Sequence, residues 1–389
     1  AIRASQLGMK VALVEKDRLG GTCLHRGCIP SKALLRSAEV YHTVLNCSTY
    51  GIDTDSCTVN FQNIQERKRA IVEQLHKGIQ YLMKKGKIKV FQGEGRILGP
   101  SIFSPQAGAV SVTYPDVNSE ILVPKSLIIA TGSRPKVIPG LEADGQYVLT
   151  SNEALELEGL PDSMLIVGGG AIGIEWASLL NDFGVSVQLV EFADRILPQE
   201  DAEISKEMTR LLKNRGITVI TGAKVLPETL QKAGGKVRIQ AEREGQTIAL
   251  EAEKMLVAVG RTPNVEHIGL DNTQIKVIAG VIEVNSFFQT AEKHIYAVGD
   301  VIGGLQLAHV AAHEGITAVE HIAGLNPQPI NYTMVPKVTY SRPEIASIGW
   351  TEEEAIRKGY SVKIGKFPFQ AVGKALIFGD HEGFVKIVA

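Results

Sequence analysis

Cysteine is scarce in this chain, with four residues in 389, which excludes the disulfide framework of a small secreted domain. The chain also lacks an excess of charge of either sign. Its 41 lysines and arginines nearly balance its 42 aspartates and glutamates, and the net charge is −1. No overall basic field is therefore available to attract nucleic acid or an anionic membrane. The uncharged, glycine-rich stretch 163–174 is shorter than the ~20 residues that a membrane-spanning helix needs. No basic segment with an apolar run and a cleavage site is visible at the N-terminus, so the sequence predicts a cytoplasmic protein that binds neither nucleic acid nor membrane.

The chain does contain enough apolar sequence for two or three domains. Hydrophobic residues make up 44% and charged residues 21%, a composition that buries real cores. Strand-like runs alternate with helical patterns, as in Met164–Val167, Ala177–Leu180 and Val185–Val190. This alternation predicts an α/β fold with doubly wound parallel sheets and two Rossmann-like nucleotide-binding units. From about residue 335 the pattern changes to short strands and one charged helix, which predicts a third, α+β segment.

Several other segments carry local signals. Residues 62–85 have apolar side chains near helical spacing and predict a long charged helix, and residues 88–124 are strand-like. Residues 19–32 predict a loop that runs into a helix at Ala33. A helix is expected over residues 308–323, with His309 and His313 as packed or capping side chains. Cys47 and Cys57 lie in no recognisable motif and are expected to be structural.

Both ends of the chain predict a fragment. Residues 1–8 have the pattern of the end of a helix, and the strand Val11–Val14 then ends in Glu15. A βαβ unit needs roughly 30 residues, so its first strand and glycine turn are expected to precede Ala1. Residues 384–389 have the pattern of a strand that stops before any turn signal. The alternative, a natural chain with a frayed start, would leave a sheet edge bare.

A dinucleotide-binding fingerprint lies between a predicted strand and a predicted helix, at Gly168, Gly170 and Gly173. The first glycine permits the tight turn, the second lets a pyrophosphate approach the backbone, and the third lets helix and strand pack. Glu191 ends the next strand, where a carboxylate accepts hydrogen bonds from a ribose 2′-hydroxyl and repels a 2′-phosphate. The pattern predicts NAD rather than NADP, and a glycine-rich turn without a ligand is the alternative.

Cys23 and Cys28 are separated by four residues in a glycine-rich loop that leads into a helix. A paired set of cysteines in a cytosolic protein favours a reversible, catalytic disulfide. The alternatives are a metal site, for which His25 is the only further ligand nearby, and two inert core cysteines. Lys32 follows Cys28 by four residues, so on a helix it shares that face and its ammonium can stabilise a thiolate or a reduced cofactor.

Five motifs occur in an order typical of one family. They are Gly20-Gly21-Thr22-Cys23-x4-Cys28-Ile29-Pro30-Ser31-Lys32, Ala130-Thr131-Gly132-Ser133, the Gly168 fingerprint with Glu175, Val259-Gly260-Arg261-Thr262-Pro263-Asn264, and Val298-Gly299-Asp300. Over essentially the whole chain the sequence resembles the pyridine nucleotide–disulphide oxidoreductase family. Ile29-Pro30-Ser31-Lys32 is similar to the lipoamide branch more than to the glutathione branch.

The resemblance implies three domains and two cofactors. Residues 1–145 and 265–334 would bind FAD, residues 146–264 would bind NAD, and residues 335–389 would form a truncated dimerisation domain. Cys23 would be the interchange thiol, Cys28 the thiolate beside the flavin, and Lys32, paired with Glu175, would lie near flavin N5. The implied FAD-binding residues are Glu15, Lys16, Gly20, Gly21, Thr22, Cys23, Lys32, Gly95, Thr131, Gly132, Ser133, Asp300, Gln306, Leu307, Ala308 and His309. The implied NAD-binding residues are Gly168, Gly169, Gly170, Ala171, Ile172, Gly173, Glu175, Glu191, Val225 and Gly260.

The implied activity is reoxidation of dihydrolipoyl groups, with electrons passing through the Cys23–Cys28 disulfide and FAD to NAD⁺. The implied partners are the lipoyl domain of the acyltransferase in a 2-oxo acid dehydrogenase complex and a second copy of the full-length chain. Two family features are expected outside the chain: the first FAD fingerprint, before Ala1, and a catalytic His–Glu pair, after Ala389. Loss of a general base costs roughly 10²–10⁴ in rate. His25 is a lesser departure, since many relatives carry Asn there.

Two other functional classes compete with this one. A mercuric or glutathione reductase of the same family is the first, but a glutathione type reads NADPH through basic residues where Glu191 and Phe192 stand. A non-catalytic nucleotide-binding redox module is the second, and such a module has no need of both Cys23 and Cys28.

Overall fold

The computed structural model describes residues 1–102 and 106–389, so residues 103–105 of the strand-like stretch lie outside the described residues. The chain divides into two compact units, each made of three segments. The first unit is Ala1–Ile29, Ala70–Arg134 and Arg261–Tyr332, and the second is Pro30–Arg69, Pro135–Gly260 and Thr333–Ala389. Both contain parallel strands and helices, which confirms the α/β prediction.

Both units contain helices. The α-helices are Ile2–Gln6, Gly21–Arg26, Cys28–Leu45, Phe61–Lys85, Ser151–Ala154, Ala171–Asp182, Ala202–Asn214, Ala308–Ile322, Glu352–Arg357 and Gly373–Phe378. Short 3-10 helices span Cys47–Tyr50, Leu270–Asn272, Gly299–Ile302, Tyr332–Met334 and Phe369–Ala371. Within residues 1–102 and 106–389, no helix combines the length and apolar character that a bilayer crossing requires.

The first unit contains several small sheets. Ala12–Glu15 pairs in parallel with Lys89–Gln92, and Leu127–Ile129 pairs in parallel with Ile295–Ala297. The antiparallel strands are Glu94–Leu98, Ala109–Thr113 and Ser119–Leu122, and a hairpin of Val277–Ile278 and Val281–Ile282. A further pair joins Ser133–Pro135 and Arg261–Pro263.

The second unit is built on a five-stranded sheet. Its strands lie in the order Thr218–Ile220, Ser186–Val190, Ser163–Val167, Lys254–Val257 and Val148–Leu149, and all pair in parallel. An antiparallel sheet follows, of Lys224–Ala233, Lys236–Arg243 and Gln246–Ala252. The segment after residue 333 adds two hairpins, Lys337–Thr339 with Ile345–Ser347 and Ile364–Pro368 with Phe384–Val388.

The central strand Ser163–Val167 shows why the second unit folds in layers. Met164 and Ile166 pack with helix Ala171–Asp182, while Leu165 and Val167 pack with the antiparallel sheet. Successive side chains of a strand point to opposite faces, so an unbroken apolar run is the pattern expected of a strand covered on both sides. Gly168 therefore follows the carboxyl end of this strand and lies at the edge of the sheet.

The helix expected at Ala33 begins earlier than the sequence pattern indicates, and a further helix that was not predicted precedes it. The predicted loop 19–32 is wrong in part, because Gly21–Arg26 and Cys28–Leu45 are helical and only Gly27 separates them. Pro30 gives a turn signal in the sequence, yet it lies in the first turn of the second helix. Proline is tolerated there because the first amides of a helix have no partner within it.

Other local predictions agree with the structure. The long charged helix spans Phe61–Lys85, and the Asn60 side chain accepts the Asn63 amide at 3.0 Å as its cap. The third segment does contain a charged helix, Glu352–Arg357, which Thr351 and Glu354 close with a capping box.

The expectation for two histidines is wrong. Helix Ala308–Ile322 buries Val310, Glu314 and Thr317, which form one stripe at helical spacing. His309 and His313 each precede a member of that stripe by one position, and both are exposed. Leu307 is the N-cap residue of this helix.

Candidate active site

Cys23 and Cys28 form a disulfide, with their Cα atoms 4.7 Å apart. Cys23 lies on helix Gly21–Arg26, and Cys28 is the first residue of the next helix. A Cβ atom at Gly27 would lie 3.1 Å from the Cys23 Cα atom, so the short connection leaves little room for a side chain. The bonded pair confirms the predicted pairing. Cys47 and Cys57 are free and half-buried.

His25, where many relatives carry Asn, has a structural partner that the sequence does not suggest. Its Nε2 atom donates to the Leu19 carbonyl at 2.8 Å, and His76 donates from Nδ1 to the same oxygen at 2.9 Å. The two rings meet edge to face at 5.2 Å, and His76 is buried. The pair therefore fixes the turn that leads into the disulfide helix. In the described part of the chain no group of three or more metal-ligating side chains occurs.

The residues before the disulfide form an open turn. Glu15 ends its strand and accepts the Asp17 amide at 2.9 Å, while the exposed Lys16 contacts Glu94 at 3.2 Å. Gly20 and Gly21 have φ values of +123° and +72°, a backbone conformation that residues other than glycine rarely adopt.

Space differs between these two glycines. A Cβ atom at Gly20 would overlap Leu24, whereas one at Gly21 would meet nothing within 4 Å. Thr22 is also exposed. The turn leaves open space of the kind that a phosphate group needs next to the backbone, so these residues fit the FAD that the sequence implies. Gly95 has a different environment, since its Cβ atom would lie 3.2 Å from the Val14 side chain.

A polar cluster surrounds Asp300 in the first unit. Ser133 donates to Asp300 Oδ2 at 2.5 Å, and Arg261 Nε donates to Ser133 Oγ at 2.7 Å. Burial lowers the pKa of the Arg261 guanidinium, and Asp300 opposes that change. Thr131 donates to the Asn264 carbonyl at 2.7 Å. The space next to Gly132 is open. The structure thus joins Ser133 with Asp300 and adds Arg261, which sequence reasoning did not name as a site residue.

Glu314 fixes the loop that carries Asp300. Its buried carboxylate accepts the Gly299 amide at 2.6 Å and the Tyr332 hydroxyl at 2.8 Å. Burial first, and then the bond to Glu314, raise the pKa of the Tyr332 hydroxyl. Gln306 and Leu307 lead into the helix that starts at Ala308, and Gln306 has a φ of +48°. Glu314 carries no motif of its own, so the sequence gives no signal for it.

The three fingerprint glycines have three distinct environments. Gly168 has a φ of +112°, and a Cβ atom there would overlap the Ala258 carbonyl. A Cβ atom at Gly173 would overlap the Gly168 carbonyl oxygen, whereas one at Gly170 would meet nothing within 4 Å. The helix begins at Ala171 and continues through Ile172, with Gly170 as its extended N-cap. The open space over Gly170 at a helix N-terminus fits a dinucleotide pyrophosphate.

Glu191 closes the fingerprint loop from the next strand. Its Oε2 atom accepts the Gly169 amide at 2.5 Å, and Oε1 accepts the Ala193 amide at 2.7 Å. Gly260 has a φ of +105° with open space around it. Val225 differs, because its side chain is 9% exposed and lies in the core between the two sheets. Only its backbone is therefore available to a ligand.

Lys32 and Glu175 form a close ion pair in the second unit. Lys32 Nζ donates to both carboxylate oxygens, at 2.9 and 2.8 Å. Glu175 is 8% exposed and also accepts the Tyr340 amide at 2.9 Å. The ammonium lies 5.0 Å from the centre of the Tyr340 ring. These two residues are 143 positions apart in the chain, and only the resemblance predicted their pairing.

Known proteins resemble the chain in sequence. A family model described as pyridine nucleotide–disulphide oxidoreductase matches residues 1–315, and the dimerisation domain of that family matches residues 335–389. Dihydrolipoyl dehydrogenase of Bacillus subtilis (strain 168) is 62% identical over 390 residues, covering 100% of this chain and 82% of the relative. The dihydrolipoyl dehydrogenase of Zymomonas mobilis is 43% identical over 389 residues, with 100% and 82% covered.

Solved structures share the fold. LpdA from Mycobacterium tuberculosis matches with a TM-score of 0.91 at 24% identity, covering 100% of this chain and 84% of that one. RclA, a HOCl-induced flavoprotein disulfide reductase from Escherichia coli, matches with a TM-score of 0.84 at 25% identity, with 100% and 83% covered. The dimerisation-domain match indicates that a second copy of the chain is its partner in a homodimer. With its bonded cysteine pair, its fingerprint helix and a family model matched over residues 1–315, the chain belongs to the pyridine nucleotide–disulphide oxidoreductase family.

Proposed function

We propose that the protein is a dihydrolipoyl dehydrogenase, a flavoprotein that oxidises dihydrolipoyl groups and reduces NAD⁺. The observation that carries the proposal is the Cys23–Cys28 disulfide, formed at the start of the helix that also bears Lys32. The 62% identity to the Bacillus subtilis enzyme supports the same activity. FAD and NAD are the cofactors, and the open turns at Gly21 and Gly170 fit their phosphates.

The chemistry begins with thiol–disulfide exchange. One thiolate of the dihydrolipoyl group attacks Cys23 Sγ, which forms a mixed disulfide and releases Cys28 as a thiolate. The second sulfur of the substrate then attacks the first, closes the lipoyl disulfide and releases Cys23. Two protons leave the substrate, and its electron pair remains on the cysteines.

The residues around the cysteines stabilise negative charge and hold the cofactors in place. A bound FAD would supply the acceptor for this electron pair, so that Cys23 and Cys28 re-form their disulfide, and NAD⁺ would be the final acceptor. Lys32, held by Glu175, supplies a positive charge that favours the anionic forms on this path. Asp300, Ser133 and Glu15 bind the FAD sugar and phosphate region in our proposal, and the fingerprint glycines with Glu191 bind NAD.

The finer assignments form part of the same proposal. We divide the chain into an FAD domain of residues 1–145 and 265–334, an NAD domain of 146–264 and an interface domain of 335–389. The protein partner is the lipoyl domain of a 2-oxo acid dehydrogenase acyltransferase, which carries the dihydrolipoyl dithiol. The sparse cysteine content, with one redox pair, fits a cytoplasmic location.

A direct assay tests the function. Purified protein loaded with FAD is mixed with dihydrolipoamide and NAD⁺, and NADH formation is followed by absorbance. We expect NADH to appear with dihydrolipoamide and with no other thiol at a comparable rate. Consumption of NADPH with oxidised glutathione, in the absence of any dihydrolipoamide turnover, would assign the chain to a different reductase.

Glu191→Gln tests the nucleotide preference. The amide keeps the size of the side chain but removes its negative charge and one of its two acceptor oxygens. We expect the ratio of kcat/KM for NAD⁺ to that for NADP⁺ to fall about tenfold or more, since a charged hydrogen bond is worth ~1.5–3 kcal/mol. Steady-state kinetics with both nucleotides measure the ratio.

Glu253→Gln is the matched control, because Glu253 also accepts a backbone amide, that of Asp162, at 2.7 Å. It should leave the ratio unchanged. An unmodified protein that prefers NADP⁺ would show that the assignment of Glu191 to the ribose is wrong.

A further inference from the structure

One face of helix Ala171–Asp182 holds a short segment of the third region of the chain. Glu175, Ser178 and Asp182 lie at helical spacing on that face, and all three are buried. Glu175 accepts the Tyr340 amide at 2.9 Å, and Ser178 accepts the Arg342 amide at 2.8 Å. Asp182 accepts the Arg342 guanidinium, at 2.6 Å from Nη2 and 3.1 Å from Nε. Three successive polar side chains thus fix residues 340–342.

Arg215 fixes the same segment from its other side. Its guanidinium donates to Asp182 Oδ1 at 2.8 Å, to Ser178 Oγ at 3.1 Å and to the Arg342 carbonyl. Burial lowers the pKa of Arg215 to about 10, and Asp182 opposes that change. The amide, the carbonyl and the side chain of Arg342 are therefore all held.

The held segment ends at the ion pair of the candidate active site. Glu175 Oε1 accepts both Lys32 Nζ and the Tyr340 amide, each at 2.9 Å. The Tyr340 ring also contacts the Lys32 ammonium, at 5.0 Å from the ring centre. Movement of residues 340–342 would consequently release one hydrogen bond from Glu175 and one ring contact from Lys32.

We propose that Arg342 is a positioning residue that acts through Tyr340 and Glu175 on the Lys32 ammonium. The anchoring by Asp182, Ser178 and Arg215 holds the Tyr340 amide on Glu175, and this orients the carboxylate that binds Lys32. The proposal rests on the proposed function, because Lys32 matters only where its charge meets a thiolate and a reduced flavin.

A purely structural role is the competing explanation. Breaking a buried ion pair lowers stability whatever it positions, since the remaining charge loses its partner. A loss of stability therefore does not distinguish a structural role of Arg342 from a positioning role. The test needs a signal that depends on the Lys32 ammonium. The long-wavelength charge-transfer absorbance of the two-electron-reduced holoenzyme is such a signal, because it reports the thiolate beside the flavin.

The experiment compares Arg342→Met with Arg195→Met. Arg195 also bridges to the third region, through Glu353 at 2.7 Å, but has no contact with Glu175 among the described residues. After anaerobic titration with dihydrolipoamide, we expect Arg342→Met to reduce the absorbance per bound FAD by about twofold to tenfold. Arg195→Met should match the unmodified protein.

A double-mutant cycle then tests the path. If Arg342 acts through Glu175, Arg342→Met causes no further loss in a Glu175→Gln background. Equal spectra for Arg342→Met and Arg195→Met, or an additive loss in the double variant, would overturn the proposal. If Arg342→Met does not yield FAD-loaded protein, Arg342→Lys replaces it in both comparisons and decides the outcome, since it keeps the charge and loses the two-point contact. An unmodified protein that shows no charge-transfer absorbance contradicts the proposed function itself, which separates the two failures.

Discussion

Cys28→Ser is expected to abolish both the charge-transfer absorbance of the reduced holoenzyme and its turnover. A serine hydroxyl does not ionise near neutral pH, so no thiolate remains to donate to the flavin. The disulfide with Cys23 is lost as well, and with it the acceptor for the dihydrolipoyl thiolate. We expect kcat to fall by roughly 10³-fold or more, as for residues that act as one catalytic unit. Steady-state assays and a spectrum after anaerobic reduction measure the two effects.

Two further variants separate the roles of the sulfurs. Cys23→Ser should keep the absorbance without any reduction, because Cys28 is then a permanent free thiol, and it should lose turnover with the dithiol. Cys47→Ser, which changes a free and half-buried cysteine, should behave as the unmodified protein. If the absorbance survives in Cys28→Ser and disappears in Cys23→Ser, the two cysteines exchange roles.

Gly173→Ala is expected to damage the NAD-binding unit much more than Gly170→Ala. The new Cβ atom at residue 173 overlaps the Gly168 carbonyl oxygen, which belongs to the backbone and has no flexible end to move aside. We expect a loss of unfolding free energy of ~1–3 kcal/mol or more, as for overpacking, together with loss of NAD⁺ binding. Urea unfolding and the KM for NAD⁺ measure the two consequences.

Gly170→Ala separates folding from binding. Its Cβ atom meets nothing within 4 Å, so stability should change by ~0.5 kcal/mol at most. The methyl group occupies the space where a pyrophosphate approaches, so the KM for NAD⁺ should rise about tenfold or more. Gly315→Ala, in open space on a helix, is the control and should stabilise the protein by ~0.5–1 kcal/mol. Equal stability losses at residues 173 and 170 would contradict the packing role of the third glycine.

Prediction of the fold from the sequence succeeded where the signal is local. The apolar spacing over residues 62–85 produced the helix Phe61–Lys85, and the unbroken apolar run Met164–Val167 produced a strand covered on both faces. The loop prediction before Ala33 failed because a proline in the first turn of a helix has the same local pattern as a proline in a turn. The exposed His309 and His313 show a similar limit, since a shift of one position on a helix moves a side chain off the buried stripe.

By itself, the sequence located the chemistry: two cysteines five positions apart in a glycine-rich segment, and a Gly-x-Gly-x-x-Gly pattern between a strand and a helix. These features are encoded within a few residues, so spacing and residue type are enough to find them. Only the tertiary structure decided which distant groups serve them: His76 on the turn before Cys23, Arg261 beside Asp300, and Arg342 with Asp182 behind the Lys32–Glu175 pair. Such contacts join residues that lie far apart in the chain, and a single sequence carries no periodicity or motif that links them. Packing alone brings them together.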